Sequence, residues 1–567
     1  MALSCLSRIR VTWLRSYSYL HNPGKEPLQY ITLGQVLEKS AREFEDRVAV
    51  ISNHQKKELT YREALEQCDQ FAAGLLNIGL KKGDRVGLWC PNILEWFIVK
   101  YACARAGLIL VALNPHYQAP EMEYAIHKVG IKCLICTDKV KKMNYHDILN
   151  KLIPNLDKSA VGKINSTKLP SLKSIITVSD KTVRWAYNFQ EIVENSDQSL
   201  IQSIRKNQNS ISPDDAFSIL FSSGTTGKPK AAIVSHFSHV NNTLLTGGRM
   251  ELGIKSHRIC MMVPFFHAFG VNITTGSSVC YGSTIVVPSI TYSPSDNLTA
   301  IKEQKCTMIH GTPTMHLDLI TEQRKRNENI SAEIAVSGGS PISTHQFRTM
   351  LDVFKVKSVK SVYGLTETTA VVFASKPGDD EEKSTSTVGY VGDHMEAKVV
   401  DENGMVVPFG IPGELCIRGY ANMIGYWDDM KKTEATIGRD NWLKTGDRAI
   451  LSADGYAKIV GRNKDMIIRG GENIFPKEVE DILITHPDIA EVQVIGLPHE
   501  RLGEEVCACV KMCSDKILKL EEIVTFCEGK MAYFKIPRQL RIVDSFPRTI
   551  SGKIQKYLLV EKFAKTL

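Results

Sequence analysis

From about Leu33 to Val460, helical patterns alternate with short apolar runs, and this alternation most constrains the fold. "LTYREALEQCDQFAAGLLNIGL" places its apolar residues on one helical face, and "RVGLWC" after it reads as a strand ended by Pro91. "EWFIVKYACARAG" is helical again and "ILVALNP" is again a strand. Repeated switching between the two periods predicts a layered α/β architecture with substantial parallel pairing. No internal repeat is visible. Asp157 to Lys173, rich in Ser, Lys and Pro with little periodicity, is expected to be a surface insertion.

The last hundred residues read as a separate α+β unit. Pro476 opens "PKEVEDILITH", whose Val479, Ile482 and Leu483 share a face, and Pro487 stops it. Strands "AEVQVIGLP" and "EEVCACVKM", a helix and "QLRIVDSFP" follow. The charged, glycine-containing "GRNKDMIIRGGENI" before this unit suits a swivel between domains. The expected division is a large domain over 30–462 and a small mobile one over 463–567, with the hinge near Lys464.

A chain of 567 residues holds several domains and ample core. No run of eighteen apolar residues exists, which argues against a transmembrane helix and leaves peripheral membrane contact open. The net charge of +8 is partly local, because Arg8, Arg10, Arg15 and Lys25 precede the first acidic residue, Glu26. The remaining excess is not gathered into an aromatic-interleaved patch, so no nucleic-acid partner is expected. "RKR" at Arg324 to Arg326 reads as a solvated helix end. The acid-free, Arg- and Ser-rich first seventeen residues have the composition of a mitochondrial presequence, with cutting after Tyr17 of "RSYS". The terminal "KTL" falls short of the peroxisomal address. Fourteen scattered cysteines fit a reduced compartment. Cys133 and Cys136, three apart in a strand, are expected to face opposite sides. Cys507 and Cys509 are expected to be small apolar filler.

"SSGTTGKPKAAIVSH" (Ser222 to His236) concentrates hydroxyls, glycines and lysines. It is not the P-loop of nucleotide hydrolases. That loop needs four residues between its glycines, whereas only Thr225 and Thr226 separate Gly224 from Gly227. Pro229 after Lys228 also opposes a helix start. With "AFSILF" before and "AAIVSH" after, the segment reads as a long hairpin tip that offers N–H groups, hydroxyls and ammonium groups to a polyphosphate.

Further polar segments stand where a fold gains nothing from them: "VSGGSP", "YGLTETT", "WLKTGDRA" and "FPRTISGKIQK". Together with "SSGTTGKPK", "PFFHAFG" and "GRNKDMI…GENIFPKEVE", in this order, they make the chain resemble the adenylate-forming superfamily from about Leu33 to Lys556. Within it the chain is most similar to acyl-CoA synthetases. "NPHYQAPEMEYAI" and the leader look most like the mitochondrial family-member-2 type, which activates medium-chain fatty acids. Two positions depart from the family pattern. Ser222 stands where Thr is commoner, and Ala231 stands where Gly usually follows the lysine, so its methyl could restrict the loop.

The resemblance implies a two-step reaction using ATP, Mg²⁺ and CoA. A fatty carboxylate first attacks the α-phosphate to give acyl-adenylate and pyrophosphate. The CoA thiol then expels AMP. Ser222, Ser223, Gly224, Thr225, Thr226, Gly227, Lys228, Pro229 and Lys230 would close over the β- and γ-phosphates. Glu367, beside Thr366 in the same catalytic motif, would bind Mg²⁺. Tyr363 would stack on adenine, with Gly338, Gly339 and Ser340 at its edge. Asp447 would accept the ribose hydroxyls, backed by Arg462. Lys553 would bridge the acyl carboxylate and the α-phosphate. His267 would line the acyl entrance. Lys464 would be the pivot that withdraws Lys553 between steps.

Three alternatives stand beside this reading. A silent ATP- or acyl-binding protein predicts loss of Lys553, Asp447 or Glu367, and all three are present. An adenylation module feeding a tethered carrier is disfavoured because the sequence ends eleven residues after Lys556. A luciferase-like use of the adenylate shares every motif, and the leader argues against it.

Overall fold

The structure, a computed structural model, describes residues 16–222, 229–340, 342, 344–470, 472–513, 518–550 and 552–564. The alternation read from the sequence is realised. Thr60 caps helix Tyr61–Asn77: its hydroxyl accepts from the Glu63 N–H while the Glu63 carboxylate accepts from the Thr60 N–H. Such reciprocal caps fix where a helix starts. Strand Arg85–Trp89 follows, then helix Glu95–Ala106, which ends at Gly107 with φ 65°, then strand Ile109–Ala112. The positive φ is why glycine stands there.

Two large, mostly parallel sheets result. The eight-stranded one is built around Arg85–Trp89, Ile109–Ala112, Cys133–Thr137 and Ser174–Val178, all in parallel register. The nine-stranded one carries Val48–Ser52, Thr284–Val287, Arg258–Met261, Met308–Gly311, Ile334–Gly338 and Ser358–Tyr363 in parallel. Along Cys133–Thr137 the strand period divides the side chains. Cys133 and Ile135 enter one core, Leu134 and Cys136 the other, so the two thiols face opposite sides as expected. Helix Glu95–Ala106 is buried at every residue, among helices Leu33–Glu43 and Tyr61–Asn77 and strand Ile109–Ala112. Its charges are buried with partners: Lys100 donates to the Val271 carbonyl at 2.6 Å, and Arg105 pairs with Asp69 and Glu38.

A third, antiparallel sheet runs Tyr19–Asn22, Met395–Val400, Gly413–Gly419, Leu443–Leu451, Ala457–Arg462. Its first strand lies upstream of the domain boundary read at residue 30. Pairing across some 380 residues (Tyr19 with Lys398) leaves no local trace in the sequence.

The segment 157–173 is irregular and largely exposed, as expected of a surface insertion, and it is tied down by Ile164, Leu169 and Leu172, which are buried in the core that covers one face of the eight-stranded sheet. Those three apolar residues lack a regular period since they hang from an irregular chain, and periodicity alone could not find them.

The C-terminal unit has its own core, formed by helix Pro476–Leu483, the antiparallel strands Ile489–His499 and Gly503–Met512, helix Leu520–Cys527, and Gln539–Ile542 parallel to Gly503–Met512. Cys507 and Cys509 are buried against Ile495, Leu497 and Phe563 as apolar filler. Among the described residues, no helix is long and apolar enough to cross a membrane.

Candidate active site

The carboxyl ends of strands from both large sheets open onto one cavity of about 560 Å³. Ala112 and Ser222 come from the eight-stranded sheet, Gly339 and Val362 from the nine-stranded one. Crevices at the carboxyl ends of parallel strands are where α/β folds bind ligands. The antiparallel sheet adds Asp447 and Arg462, and the C-terminal unit adds Thr549, Ile550 and Lys553.

Asp447 and Arg462 are cross-strand neighbours, and the Arg462 Nε stands 2.8 Å from Asp447 Oδ1. The Tyr363 hydroxyl donates to Asp447 Oδ2 at 2.7 Å. Burial, and then the Asp447 charge, push the Tyr363 phenol well up, so it stays a donor. The neighbouring carboxylate raises the Arg462 guanidinium further. Each Asp447 oxygen has a second lone pair, so the carboxylate retains capacity for two hydroxyl donors.

Strands Ala216–Ser222 and Lys230–Ser235 pair antiparallel to their last residues, with Ser222 opposite Lys230. The hairpin expected from the sequence is therefore present. Its tip, Ser223, Gly224, Thr225, Thr226, Gly227 and Lys228, lies outside the described residues. At its base the Tyr124 hydroxyl donates to the Pro229 carbonyl at 2.9 Å. Ser222 Oγ donates to Glu367 Oε1 at 2.7 Å, which brings the hairpin and the "YGLTETT" turn together. Thr366 and Glu367 form the start of a short 3₁₀ turn, Thr366–Thr368, and both line the cavity.

Gly338 and Gly339 are needed for different reasons. A Cβ on Gly338 would lie 2.6 Å from the Val362 carbonyl oxygen, whereas Gly339 has φ +89°. The chain can therefore turn sharply there and leave backbone, with Ser340 following, at the cavity rim. His267 also lines the cavity, just before a single π-helical turn at Phe269–Thr274. Burial, helped by the Lys553 cation, lowers the His267 imidazole to about 3, so it is neutral, and its Nδ1 accepts from the Phe269 N–H.

Lys553 is held out on a tight turn. The Thr549 N–H donates to the Lys553 carbonyl at 2.7 Å, the Gly552 N–H to the Thr549 carbonyl at 2.9 Å, and Gly552 takes φ +81°. Thr314 Oγ1 of the large domain donates to the Gly552 carbonyl at 3.5 Å. Burial, and then the Arg462 charge, lower the Lys553 ammonium to about 8, against the pull of Asp447 and Glu367. Lys464, in the 3₁₀ turn Asn463–Asp465 that follows Arg462, lines the same cavity. Ser222, Pro229, Lys230, His267, Gly339, Thr366, Glu367, Asp447, Arg462, Lys464 and Lys553 thus line one opening, and Tyr363 reaches it through Asp447.

Residues 37–427 match the AMP-binding enzyme family, and residues 478–553 match the AMP-binding enzyme C-terminal domain. The chain belongs to the AMP-binding enzyme family. Among curated AMP-binding relatives, the Danio rerio medium-chain acyl-CoA ligase ACSF2, mitochondrial, is 41% identical over 556 residues, 97% of this chain and 91% of that protein. Two solved structures share the fold at 24% identity. One is the anthranilate CoA ligase AuaEII with anthranoyl-AMP, at TM-score 0.82 over 96% of this chain and 99% of that one. The other is ATP-bound MatB from Rhodopseudomonas palustris, at TM-score 0.80 over 95% and 100%.

One departure from the usual AMP-binding pattern is explained by position. Ala231 is fully buried in strand Lys230–Ser235, and its methyl belongs to the core with Ile219 and Trp89. It packs within the sheet and is not part of the tip. Tyr124 and Tyr426 escaped the sequence reading. Tyr124 lies on a helix whose pattern reads as ordinary amphipathicity, and Tyr426 follows a glycine in a stretch without period.

Proposed function

We propose that this chain is an AMP-forming acyl-CoA synthetase that activates medium-chain fatty acids, with ATP and CoA as co-substrates. The observation that carries this reading is the delivery of Lys553, from the small domain, into the opening that holds Asp447, Arg462 and Glu367. A cation brought to a site that already holds ribose- and phosphate-binding groups suits charge that builds up during phosphoryl attack.

In this assignment ATP lies with its ribose hydroxyls on Asp447 and its adenine between Tyr363 and the backbone of Gly338, Gly339 and Ser340. Ser222 to Lys230 closes over the β- and γ-phosphates. The fatty carboxylate enters past neutral His267, which adds no charge to repel Lys553 or to trap the acid. A carboxylate oxygen then attacks the α-phosphorus, pyrophosphate leaves, and Lys553 neutralises the oxygens that gain charge. No cluster of three metal-ligating side chains occurs among the described residues. Glu367 is a hard oxygen ligand of the kind that holds Mg²⁺ jointly with substrate phosphates, which fits the ion. When bound, Mg²⁺ would offset charge on the triphosphate.

In the second step the CoA thiol attacks the acyl carbonyl and AMP leaves. Rotation at Lys464 would withdraw Lys553 to admit CoA. The described arrangement has Lys553 inserted, as the adenylating step requires. The mitochondrial relative and the acid-free leader support a mitochondrial location, in the matrix, with cleavage after Tyr17. Of that leader, residues 1–15 lie outside the described residues.

The test is AMP release, with CoA present, across saturated acids of graded length. A maximum at medium chain lengths is expected. Turnover of short or aromatic acids in preference to these would move the chain elsewhere among CoA ligases.

A further inference from the structure

Tyr426 sits between the two charged groups that the catalytic reading assigns to the triphosphate. Its hydroxyl donates to Glu367 Oε1 at 2.8 Å and accepts from Lys230 Nζ at 3.4 Å. The same ammonium stands 4.9 Å from the Tyr426 ring centroid, within cation–π range. The residue is only 5% exposed, and burial followed by the Glu367 charge keeps its phenol protonated.

The surrounding backbone is built to hold it. Gly425–Tyr426 pairs with Ala232 and Ile233, in the strand that Lys230 begins. The Tyr426 N–H donates to Thr433 Oγ1 at 2.9 Å. Just upstream, the Met423 N–H donates to the Glu367 carbonyl at 2.9 Å, and Thr369 Oγ1 to the Ala421 carbonyl at 2.7 Å. Residues 421–427 therefore form a strap that joins the Glu367 turn to the base of the phosphate hairpin.

We propose that Tyr426 is a positioning residue for acyl-adenylate formation: it holds Glu367 and Lys230 apart, each aimed at the nucleotide, and prevents them from pairing with each other. A phenol has one proton to give and lone pairs to receive, so it can bridge a carboxylate and an ammonium without neutralising either. With Ser222 and Tyr426 both on Oε1, Glu367 keeps Oε2 for its ligand. Without the hydroxyl the two charges can close into a direct ion pair, which the triphosphate would have to break. The inference rests on the assignment of Glu367 and Lys230 to the triphosphate, which E367Q tests separately.

The experiment compares wild type, Y426F, E367Q and the double variant in each half-reaction, with calorimetric binding of a non-hydrolysable ATP analogue. Y426F keeps the ring. It is expected to lower kcat/KM for acyl-adenylate formation roughly ten- to hundredfold, the size of a lost hydrogen bond to a charged group. Analogue binding should weaken in step, and thioester formation from supplied acyl-adenylate should stay within about twofold. Because the hydroxyl acts through Glu367, Y426F should cost less than about threefold in the E367Q background. Thr433→Val, which removes the anchor of the Tyr426 N–H together with a bond to the Asp429 carbonyl, should give the same selective loss at roughly three- to tenfold. It decides the matter if Y426F does not fold. Adenylation within twofold of wild type in Y426F while E367Q is crippled, or fully multiplicative losses in the double variant, would overturn the proposal alone. An unaffected E367Q would overturn the reading of Glu367 and this proposal with it.

Discussion

Lys553 shows what sequence can and cannot convey about a single residue. Its loop, "PRTISGK", marks it as functional only through resemblance, since a lysine on a glycine-containing turn is otherwise ordinary. The structure adds burial beside Arg462, which lowers its ammonium to about 8. The protonated form is the useful one, and it prevails below that value. In the substrate-free enzyme, kcat/KM for adenylation should therefore be flat at lower pH and fall as pH rises through about 8. Lys553→Arg should shift that limb upward, because a guanidinium stays charged. Lys553→Ala should reduce acyl-adenylate formation by roughly 10²–10³-fold and largely spare thioester formation from supplied adenylate. Asp447 makes a complementary case: the sequence suggests a turn, the structure places it within strand Leu443–Leu451, and its partners, Tyr363 and Arg462, were not legible. Asp447→Ala should raise the KM for ATP by roughly ten- to hundredfold and leave the fatty-acid dependence nearly unchanged. An unaltered nucleotide affinity would reduce Asp447 to a structural partner of Arg462.

At the scale of elements, local signals read well and distant pairings did not. The hairpin flanking the phosphate loop was legible because two β-leaning runs bracket a polar tip. The capped helix Tyr61–Asn77 and the Pro-initiated helix Pro476–Leu483 were legible for similar reasons. Strand Tyr19–Asn22 was not, because its partner is Met395–Val400. Its N-terminal neighbour Ser18 donates from its N–H to the Val407 carbonyl and from Oγ to the Pro408 carbonyl. Cleavage after Tyr17 preserves the strand and the Oγ bond but removes the bond from the Phe409 N–H to the Ser16 carbonyl and that from the Tyr19 N–H to the Tyr17 carbonyl. A chain starting at Ser18 should thus unfold at a slightly lower denaturant midpoint than the full chain, a loss of about 1–2 kcal/mol. One starting at Lys25 should lose about 2–4 kcal/mol, from a few hydrogen bonds at about 1 kcal/mol each. The proposed swivel belongs to the same scale: Arg462 ends a strand and Lys464 occupies one short turn before the C-terminal core begins. Proline there fixes φ and biases Asn463 toward extended angles. Lys464→Pro should leave the protein folded and acyl-adenylate formation near normal while transfer to CoA stalls. Unimpaired rates in both half-reactions would remove the need for rotation at that position.

At the scale of the molecule, the fold brings together groups that are up to about 440 residues apart, from Ala112 to Lys553. Alternating helical and strand periods sufficed to read two domains and a parallel α/β architecture. They could not reveal that strand ends of two sheets share one opening, because sheet assignment depends on which faces find a common core. The anchoring of segment 157–173 escaped for the same reason: Ile164, Leu169 and Leu172 are apolar at irregular intervals, and only the sheet they cover gives them an order. The central claim is that this shared opening joins a carboxylate to the α-phosphate of ATP. The most direct test is a fatty acid labelled with ¹⁸O in its carboxylate, turned over with ATP and CoA, with AMP and pyrophosphate then analysed by mass spectrometry. The account predicts one labelled oxygen in AMP and none in pyrophosphate. Label in pyrophosphate or inorganic phosphate, or unlabelled AMP alongside acyl-CoA, would contradict it.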